Sequence, residues 1–155
     1  MKKILFLDLE ETVINCFTDF KTLINVEEVK TFIHSIGFDE VRIFSFAIWE
    51  DKDVDRFFSL INPLLAKCLD VTITVPPIKV CEIRKIVEKA EGCFFEFDWE
   101  FSTTFRKDLS FMKMVEHTME NVEVTLLDDK VANTTICNHD KNIKMNLINV
   151  NSLFI

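Results

Sequence analysis

Short apolar runs of strand length alternate with amphipathic patterns along most of this chain, and this alternation limits the possible folds more than any other feature. The first run, residues 4–7, ends abruptly in Asp8, as a buried parallel strand does when its carboxyl end carries a functional group. Further strands are predicted at residues 41–46, 71–75, 122–127 and 143–150. The alternation favours a three-layer, Rossmann-like α/β fold with an open, mainly parallel sheet.

Apolar residues at helical spacing predict the segments between these strands. The predicted helices span residues 26–36, about 51–67, the stretch from Pro76-Pro77 to Gly92, and 108–119. Residues 93–106 alternate apolar and acidic side chains, which predicts an extended excursion or a hairpin. Residues 13–25 are mixed and predict a short hairpin or a turn of irregular helix. All 155 residues are thus assigned to one domain, 1–155.

Composition excludes several classes of function. Gly37 and Gly92 are the 2 glycines of the chain, so neither a Walker A loop nor a dinucleotide-binding fingerprint can be written. The formal net charge is 18 minus 26, or −8, and this disfavours nucleic acid as a partner because a negative surface repels phosphates. The 5 cysteines show no zinc or CxxC spacing and are expected to be reduced thiols. The apolar run after Lys3 is too short for a signal peptide or a membrane span, which favours the cytoplasm.

Polar side chains follow three of the predicted strands. Asp8 and Glu10 come after the first strand, Ser45 lies on the second, and Asp128 and Asp129 end the strand at 122–127. Because the carboxyl ends of parallel strands meet at one edge of a sheet, we expect these groups to lie together. Carboxylates crowded in this way repel one another, and a divalent cation is the ordinary means of keeping them ionised. Oxygen ligands favour Mg²⁺ over zinc.

These residues resemble the motifs of the haloacid dehalogenase-like superfamily. An apolar strand followed by Asp8-Leu9-Glu10-Glu11-Thr12 looks like the first motif, Asp-x-Asp-x-Thr. Ser45 matches the second, Lys107 the third, and Asp128-Asp129 the fourth. The matches occur in the family's order and span residues 4–129. The resemblance implies the strand order 5-4-1-2-3, counting the five predicted strands along the chain.

The resemblance also implies a role for each matching position. Asp8 would be the nucleophile that accepts a phosphoryl group, and Glu10 the general acid and base whose backbone carbonyl helps to hold the metal. Ser45 and Lys107 would hold the transferred phosphoryl oxygens. Asp129 would bind Mg²⁺ together with Asp8, and Asp128 would support the ion through water or from behind. Arg106 and Lys113 compete with Lys107 for its position.

Two features leave more than one function open. Thirty-six residues separate Asp8 from Ser45, too few for a large cap, and in this superfamily a minimal cap is associated with macromolecular phosphoesters such as phosphoproteins. The acid/base position is usually Asp, but here it is Glu10, as in the enolase-phosphatase branch, and Glu11 replaces the Gly of that branch. The leading hypothesis is a Mg²⁺-dependent phosphatase, and the alternative is a catalytically degenerate relative that binds a protein.

A third hypothesis comes from composition. The chain has 16 Phe and no Tyr, and a small acidic protein with a Phe-rich surface can engage a cellular partner. The acidic and aromatic residues between Glu96 and Phe101 are one such surface, although alternating strand residues that pack one face explain the same pattern. Richness in Phe, Ile, Asn and Lys is typical of an AT-rich coding genome, and viral genomes are among these.

Overall fold

A five-stranded sheet organises the fold in the computed structural model, which describes residues 1–154. The strands are β1 (Lys2–Leu7), β2 (Glu40–Ile43), β3 (Val122–Asp128), β4 (Thr134–Asn138) and β5 (Ile143–Asn149). β1 pairs in parallel with β2 and β3, β3 pairs in parallel with β5, and β4 is antiparallel to β5. The predicted α/β class with a mainly parallel open sheet is therefore confirmed. Ile155, the last residue of the predicted domain, lies outside the described residues.

Six helices connect the strands within the described residues. They are α1 (Val26–Ile36), α2 (Asp51–Arg56), α3 (Asn62–Leu69), α4 (Val80–Glu91), α5 (Asp98–Thr104) and α6 (Lys107–Thr118). A π-helical turn over Phe57–Ile61 joins α2 to α3, so the helix predicted at about 51–67 is continuous but irregular. Gly37 and Gly92 follow α1 and α4 in the left-handed conformation, where a residue without Cβ ends a helix at little cost.

Alternating side chains of β1 feed two separate cores, one on each face of the sheet. Leu5 and Leu7 pack with α1, α3 and the π-helical turn, whereas Ile4 and Phe6 pack with α4, α5 and α6. This period of two, on a strand buried on both faces, is why the sequence shows an unbroken apolar run there. The result is a sheet with a helical layer on either side.

The strand order β2-β1-β3-β5-β4 differs from the predicted order 5-4-1-2-3. Two local errors account for the difference. Residues 71–75, predicted to be an edge strand beside β2, form no strand. At the opposite edge, β4 forms a hairpin with β5 that the sequence analysis did not anticipate, because Thr134–Asn138 carries little apolar alternation.

The residues predicted as a third strand pair with no neighbouring strand, and an amide side chain binds the backbone of Ile73 instead. The Asn62 side chain donates to the carbonyl of Ile73 and accepts from its N–H, both at 3.0 Å. Val71 and Ile73 remain buried against the α1 and α3 side of the core. The apolar pattern therefore predicted burial correctly, and the amide of Asn62 satisfies the backbone of Ile73 without strand pairing.

The prediction of an extended excursion or hairpin at 93–106 was wrong, because α5 occupies Asp98–Thr104. Phe97, Phe101 and Phe105 recur every four residues, so the same aromatic pattern also fits a helix. Phe101 is completely buried and stacks on Phe105 at 5.8 Å between ring centroids. Packing of this ring against the α4 and α6 side of the core therefore overrode the local alternation.

The 13–25 segment forms turns between β1 and α1, with an isolated bridge between Glu10 and Ile14 rather than a hairpin. Its apolar side chains Val13, Ile14 and Phe17 are buried in the core under α1. No helix among residues 1–154 is both long and apolar enough to cross a membrane.

Candidate active site

Parallel pairing of β1 and β3 places two aspartates side by side at one edge of the sheet. Leu7 lies opposite Leu127 in the ladder, and the N–H of Asp8 donates to the carbonyl of Leu127 at 3.1 Å. Asp8 follows β1 directly, and Asp128 is the last residue of β3. Their exposed fractions are 3% and 0%, so two carboxylates are buried next to each other where the strands end.

Lys107, the first residue of α6, is 99 residues away from Asp8 in the sequence but contacts both carboxylates. Its Nζ lies 2.6 Å from Oδ1 of Asp8 and also contacts Oδ2 of Asp128. The rings of Phe44 and Phe46 lie beside the ammonium group, at 5.9 and 5.6 Å from their centroids. Buried charges persist in proteins only when they are paired, and the Lys107 ammonium supplies that pairing.

The surroundings of Asp8 and Lys107 shift the pKa of both groups. Burial raises the pKa of Asp8 above its usual range, and this effect outweighs the opposing attraction of Lys107. Burial by itself lowers the pKa of Lys107, but the carboxylates of Asp8 and Asp128 outweigh it, so that pKa is raised. Lys107 therefore stays protonated at neutral pH.

The structure also separates Lys107 from its two competitors. Arg106 is largely exposed and pairs with Asp108 at 3.3 Å. Lys113, two turns along α6, pairs with Glu91 at 3.2 Å. Of the three cations, Lys107 alone is placed against Asp8.

Asp129 lies beside the buried pair but is partly exposed. Burial, the nearby carboxylate of Glu11 and the charge of Asp8, in that order, raise the pKa of Asp129 to about 7. Oxygens of Asp8, Asp128 and Asp129 lie within 4.8 Å of one another. These three carboxylates were expected to meet at the strand ends, and the structure brings them together.

Thr12 is a contributor that the sequence analysis quoted within a motif but did not assign to the site. Its Oγ1 donates to Oδ2 of Asp8 at 2.9 Å, and its side chain is buried. The carbonyl of Thr12 accepts from the side chain of Asn25 at 3.0 Å, which holds the loop after β1. Both oxygens of Asp8 are thus oriented, one by Thr12 and the other by Lys107, and the position four residues after Asp8 was the available signal.

Glu10 lines the same cleft, but its carboxylate also has a structural contact. Oε2 of Glu10 accepts from the backbone N–H of Phe17 at 2.9 Å. The contact closes the turn between β1 and α1 and gives the side chain a fixed resting position. Proton transfer by Glu10 would require the side chain to leave this N–H or to use its second oxygen.

Ser45 lies two residues beyond the end of β2, not on the strand as predicted. Its buried hydroxyl accepts from the N–H of Ala47 at 3.2 Å and borders the cleft that holds Asp8. The accepted bond is the local turn contact that serine commonly makes. The hydroxyl hydrogen remains available as a donor to a ligand in the cleft.

The site opens into a cleft with a volume of about 690 Å³. Its lining includes Asp8, Asp129 and the segment from Ser102 to Arg106 at the end of α5, which forms part of the wall. This part of the wall was not predicted, because the alternation of residues 93–106 indicated an extended segment there. Residue types alone offered little signal, since serine and threonine hydroxyls are common on any exposed helix.

The donor set fits a hard divalent cation. Three carboxylates within 4.8 Å of one another offer oxygen ligands, which suit Mg²⁺ and exclude a thiolate-rich zinc site. Lys107 already engages one oxygen of Asp8 and one of Asp128, so a cation would share these groups with its ammonium. The family resemblance implies a further ligand in the backbone carbonyl of Glu10, and the side-chain contact with Phe17 does not involve that carbonyl.

Glu11 adopts a backbone conformation that favours glycine, with φ at 63°. Replacing Glu11 with Gly removes this strain and the carboxylate beside Asp129. We expect Glu11→Gly to raise the free energy of unfolding by about 1 kcal/mol, because the left-handed conformation costs an ordinary residue more than Gly loses in entropy. Urea denaturation at pH 7.5 without added metal measures the change.

Glu11→Gln is the matched control for this substitution, since it removes the charge and keeps Cβ. Backbone strain predicts a clear stability advantage of the Gly variant over the Gln variant. Equal stabilities of the two would show that charge repulsion, rather than φ, limits stability at Glu11.

Comparison with known proteins identifies no relative, so a function for this site has to be argued from its geometry. A scan of the chain against protein-family models finds no match, and searches of curated proteins and of solved structures find no significant similarity.

Proposed function

We propose that this protein is a Mg²⁺-dependent phosphatase of the haloacid dehalogenase-like type, which transfers a phosphoryl group first to Asp8 and then to water. One observation carries the proposal: Asp8, Asp128 and Asp129 meet within 4.8 Å at the edge of a parallel sheet. Lys107 lies against the first two of them. A nucleophile, a cation site and a fixed positive charge beside an open cleft are the components of phosphoryl transfer.

In the proposed reaction, a carboxylate oxygen of Asp8 forms a bond to phosphorus while the bond from phosphorus to the leaving oxygen breaks. Glu10 gives a proton to that oxygen, then takes a proton from the water that attacks the aspartyl-phosphate and releases inorganic phosphate. Lys107 and the hydroxyl of Ser45 hold the phosphoryl oxygens, and Lys107 offsets their charge. Bound Mg²⁺ would supply further charge neutralisation at Asp8 and Asp129.

The open cleft supports a macromolecular phosphoester, such as a phosphorylated protein segment, as substrate. Residues 9–25 form turns whose apolar side chains pack into the core, and α2 to α5 account for most of the chain between β2 and Lys107. Little of the chain is left for a large cap over the cleft. A net charge of −8 disfavours nucleic acid, and the cytoplasmic location stays a prediction.

A second candidate function is a catalytically degenerate protein that keeps this site for binding. The contact of Glu10 with the N–H of Phe17 favours it, because an acid/base group engaged by the backbone is less free to move protons. The carboxylate of Glu11 beside Asp129 also adds negative charge where a phosphate would enter.

Hydrolysis of an aryl phosphate separates the two candidates. We expect turnover with millimolar Mg²⁺ that stops when EDTA is added and returns with excess Mg²⁺. Absence of turnover, together with Mg²⁺ binding detected by calorimetry, would support the degenerate binding protein. Turnover that is unaffected by EDTA would contradict the role of the three carboxylates as a cation site.

Glu10→Gln is expected to slow hydrolysis by about 10²-fold or more, the usual contribution of a general acid or base. Gln keeps a carbonyl oxygen for the N–H of Phe17, so the turn should remain intact. Acid-quench trapping of the phosphoenzyme should show it accumulating, because water is no longer activated. Glu27→Gln on the exposed side of α1 is the matched control, and an unchanged rate in Glu10→Gln would remove Glu10 from the acid/base role.

A further inference from the structure

Exposed aromatic side chains are concentrated in one short segment before and within α5. Phe94, Phe97 and Trp99 have exposed fractions of 80%, 49% and 61%, and among residues 1–154 the only other exposed aromatic side chain is Phe154. The rings of Phe97 and Trp99 stack at 6.0 Å with an interplanar angle of 13°. Folding leaves this aromatic area in contact with water, and a clustered patch of this kind marks an interaction surface.

The backbone that carries these rings is anchored. Phe101, on the opposite side of α5, is completely buried. Asp98 pairs with Arg84 at 3.1 Å, and the N–H of Phe95 donates to Glu88 at 2.6 Å. The stacked pair is therefore presented by a segment held against α4, which lowers the entropic cost of binding a partner.

The patch continues into the cleft along one face of α5. Trp99, Ser102 and Thr103 are spaced by three and four residues, so they lie on the same side of the helix. Both hydroxyls hydrogen-bond the carbonyl of Trp99, at 3.1 and 2.9 Å. Ser102 and Thr103 line the cleft, which places Trp99 about one helical turn, or about 5 Å, beyond its wall.

The charge around the stacked rings is negative. Asp98 is neutralised by Arg84, but in the described part of the chain the carboxylates of Glu96 and Glu100 have no side-chain partner. Aromatic faces and carboxylates together bind the ammonium and guanidinium groups of Lys and Arg. The overall charge of −8 attracts the same groups and repels phosphate-rich polymers.

We propose that this acidic aromatic strip, formed by Phe94, Glu96, Phe97, Trp99 and Glu100, docks a basic peptide segment that flanks the phosphorylated residue of the substrate. Entry of the phosphoryl group into the cleft rests on the proposed phosphatase function. The substrate class is then a phosphoprotein segment with Lys or Arg beside the phosphorylated residue. The basic residues lie over the Phe97–Trp99 stack while the phosphoryl group enters the cleft toward Asp8.

Binding is tested first, independently of turnover. The chain has 2 tryptophans, so a Trp49→Phe protein reports on Trp99 alone by fluorescence. Titration with an unphosphorylated ten-residue Lys/Arg-rich peptide should give a saturable change, and a Glu-rich peptide of equal length should give none. Glu96→Gln/Glu100→Gln and Phe97→Ala should each weaken binding by about tenfold, the size of one lost cation–π or charge contact.

Glu27→Gln/Glu120→Gln is the matched control, since it removes two exposed charges elsewhere. At the same salt concentration, the dissociation constant from the fluorescence titration should stay within about twofold of that of the parent protein, because screened distant charges contribute little. Equal weakening by both double variants would reduce the effect to net charge and overturn the docking surface.

Turnover provides the second test. With phosphopeptides that differ only in flanking residues, we expect kcat/KM to be about tenfold higher for Lys/Arg flanks than for Ala flanks. This ratio should fall to about one in Phe97→Ala. Hydrolysis of aryl phosphate with no preference for basic flanks would overturn the docking proposal and leave the phosphatase standing. Trp99-detected binding without any phosphate hydrolysis would overturn the phosphatase and leave the docking surface standing.

Discussion

Asp8→Asn is expected to lower kcat for aryl phosphate hydrolysis by at least about 10³-fold, since an amide oxygen is a far weaker nucleophile than a carboxylate. The substitution changes little volume and keeps a carbonyl acceptor for Thr12 or Lys107. Lys107 keeps the carboxylate of Asp128 as its partner, so no buried charge is left unpaired and the fold should be retained. Steady-state hydrolysis with saturating Mg²⁺ and the circular dichroism of both proteins measure the two halves of this expectation.

Asp140→Asn, in the exposed turn between β4 and β5, is the matched control for the same chemical change. It should leave kcat within about twofold of the parent protein, as expected for a surface substitution away from the site. Hydrolysis that survives in Asp8→Asn would contradict the aspartyl-phosphate mechanism. Loss of hydrolysis together with loss of the folded circular dichroism signal would assign Asp8 a structural role instead.

Lys107→Met is expected to have the largest effect on stability. It leaves the carboxylates of Asp8 and Asp128 buried without their cation, and breaking a buried ion pair in this way costs about 3–5 kcal/mol. Urea denaturation at pH 8 without metal measures the loss. Because protonation neutralises the uncompensated carboxylates, the loss should be smaller at pH 5, and Mg²⁺ should restore part of the stability at pH 8.

Lys113→Met, on the same helix, removes an ion pair with Glu91 that is open to solvent and should cost no more than about 1 kcal/mol. If Lys107→Met does not fold, Lys107→Arg, which keeps the positive charge, is the variant to measure instead. Similar losses for Lys107→Met and Lys113→Met would contradict the central position assigned to Lys107.

The pairing of strands that builds the site could be predicted from the sequence because its signals are local. An apolar run that ends in Asp8, and a second that ends in Asp128, mark strands buried on both faces. Parallel strands bring such ends to one edge, and β1 and β3 are neighbours in the sheet. The helix that Gly37 ends was predicted for the same reason, since amphipathic spacing and a helix stop need no knowledge of the rest of the fold.

Other features depended on partners distant in the sequence. The side chain of Asn62, rather than a neighbouring strand, satisfies the backbone of Ile73. No local sequence pattern predicts this side-chain contact. The hairpin of β4 with β5 adds an edge strand that was not predicted. Thr134–Asn138 is weakly apolar, so backbone pairing with β5, rather than composition, makes it a strand.

The residue pattern alone therefore determined the α/β class and the meeting of Asp8 with Asp128 and Asp129, since periodicity and strand ends are encoded residue by residue. Only the tertiary structure separated Lys107, 99 residues away from Asp8, from its competitors Arg106 and Lys113 as the cation on Asp8. It also decided that α5 forms part of the wall of the cleft and exposes Trp99. The physical reason is that the burial of Phe101 and the pairing of charges depend on residues distant in the sequence. These interactions outweigh local propensity where the two disagree.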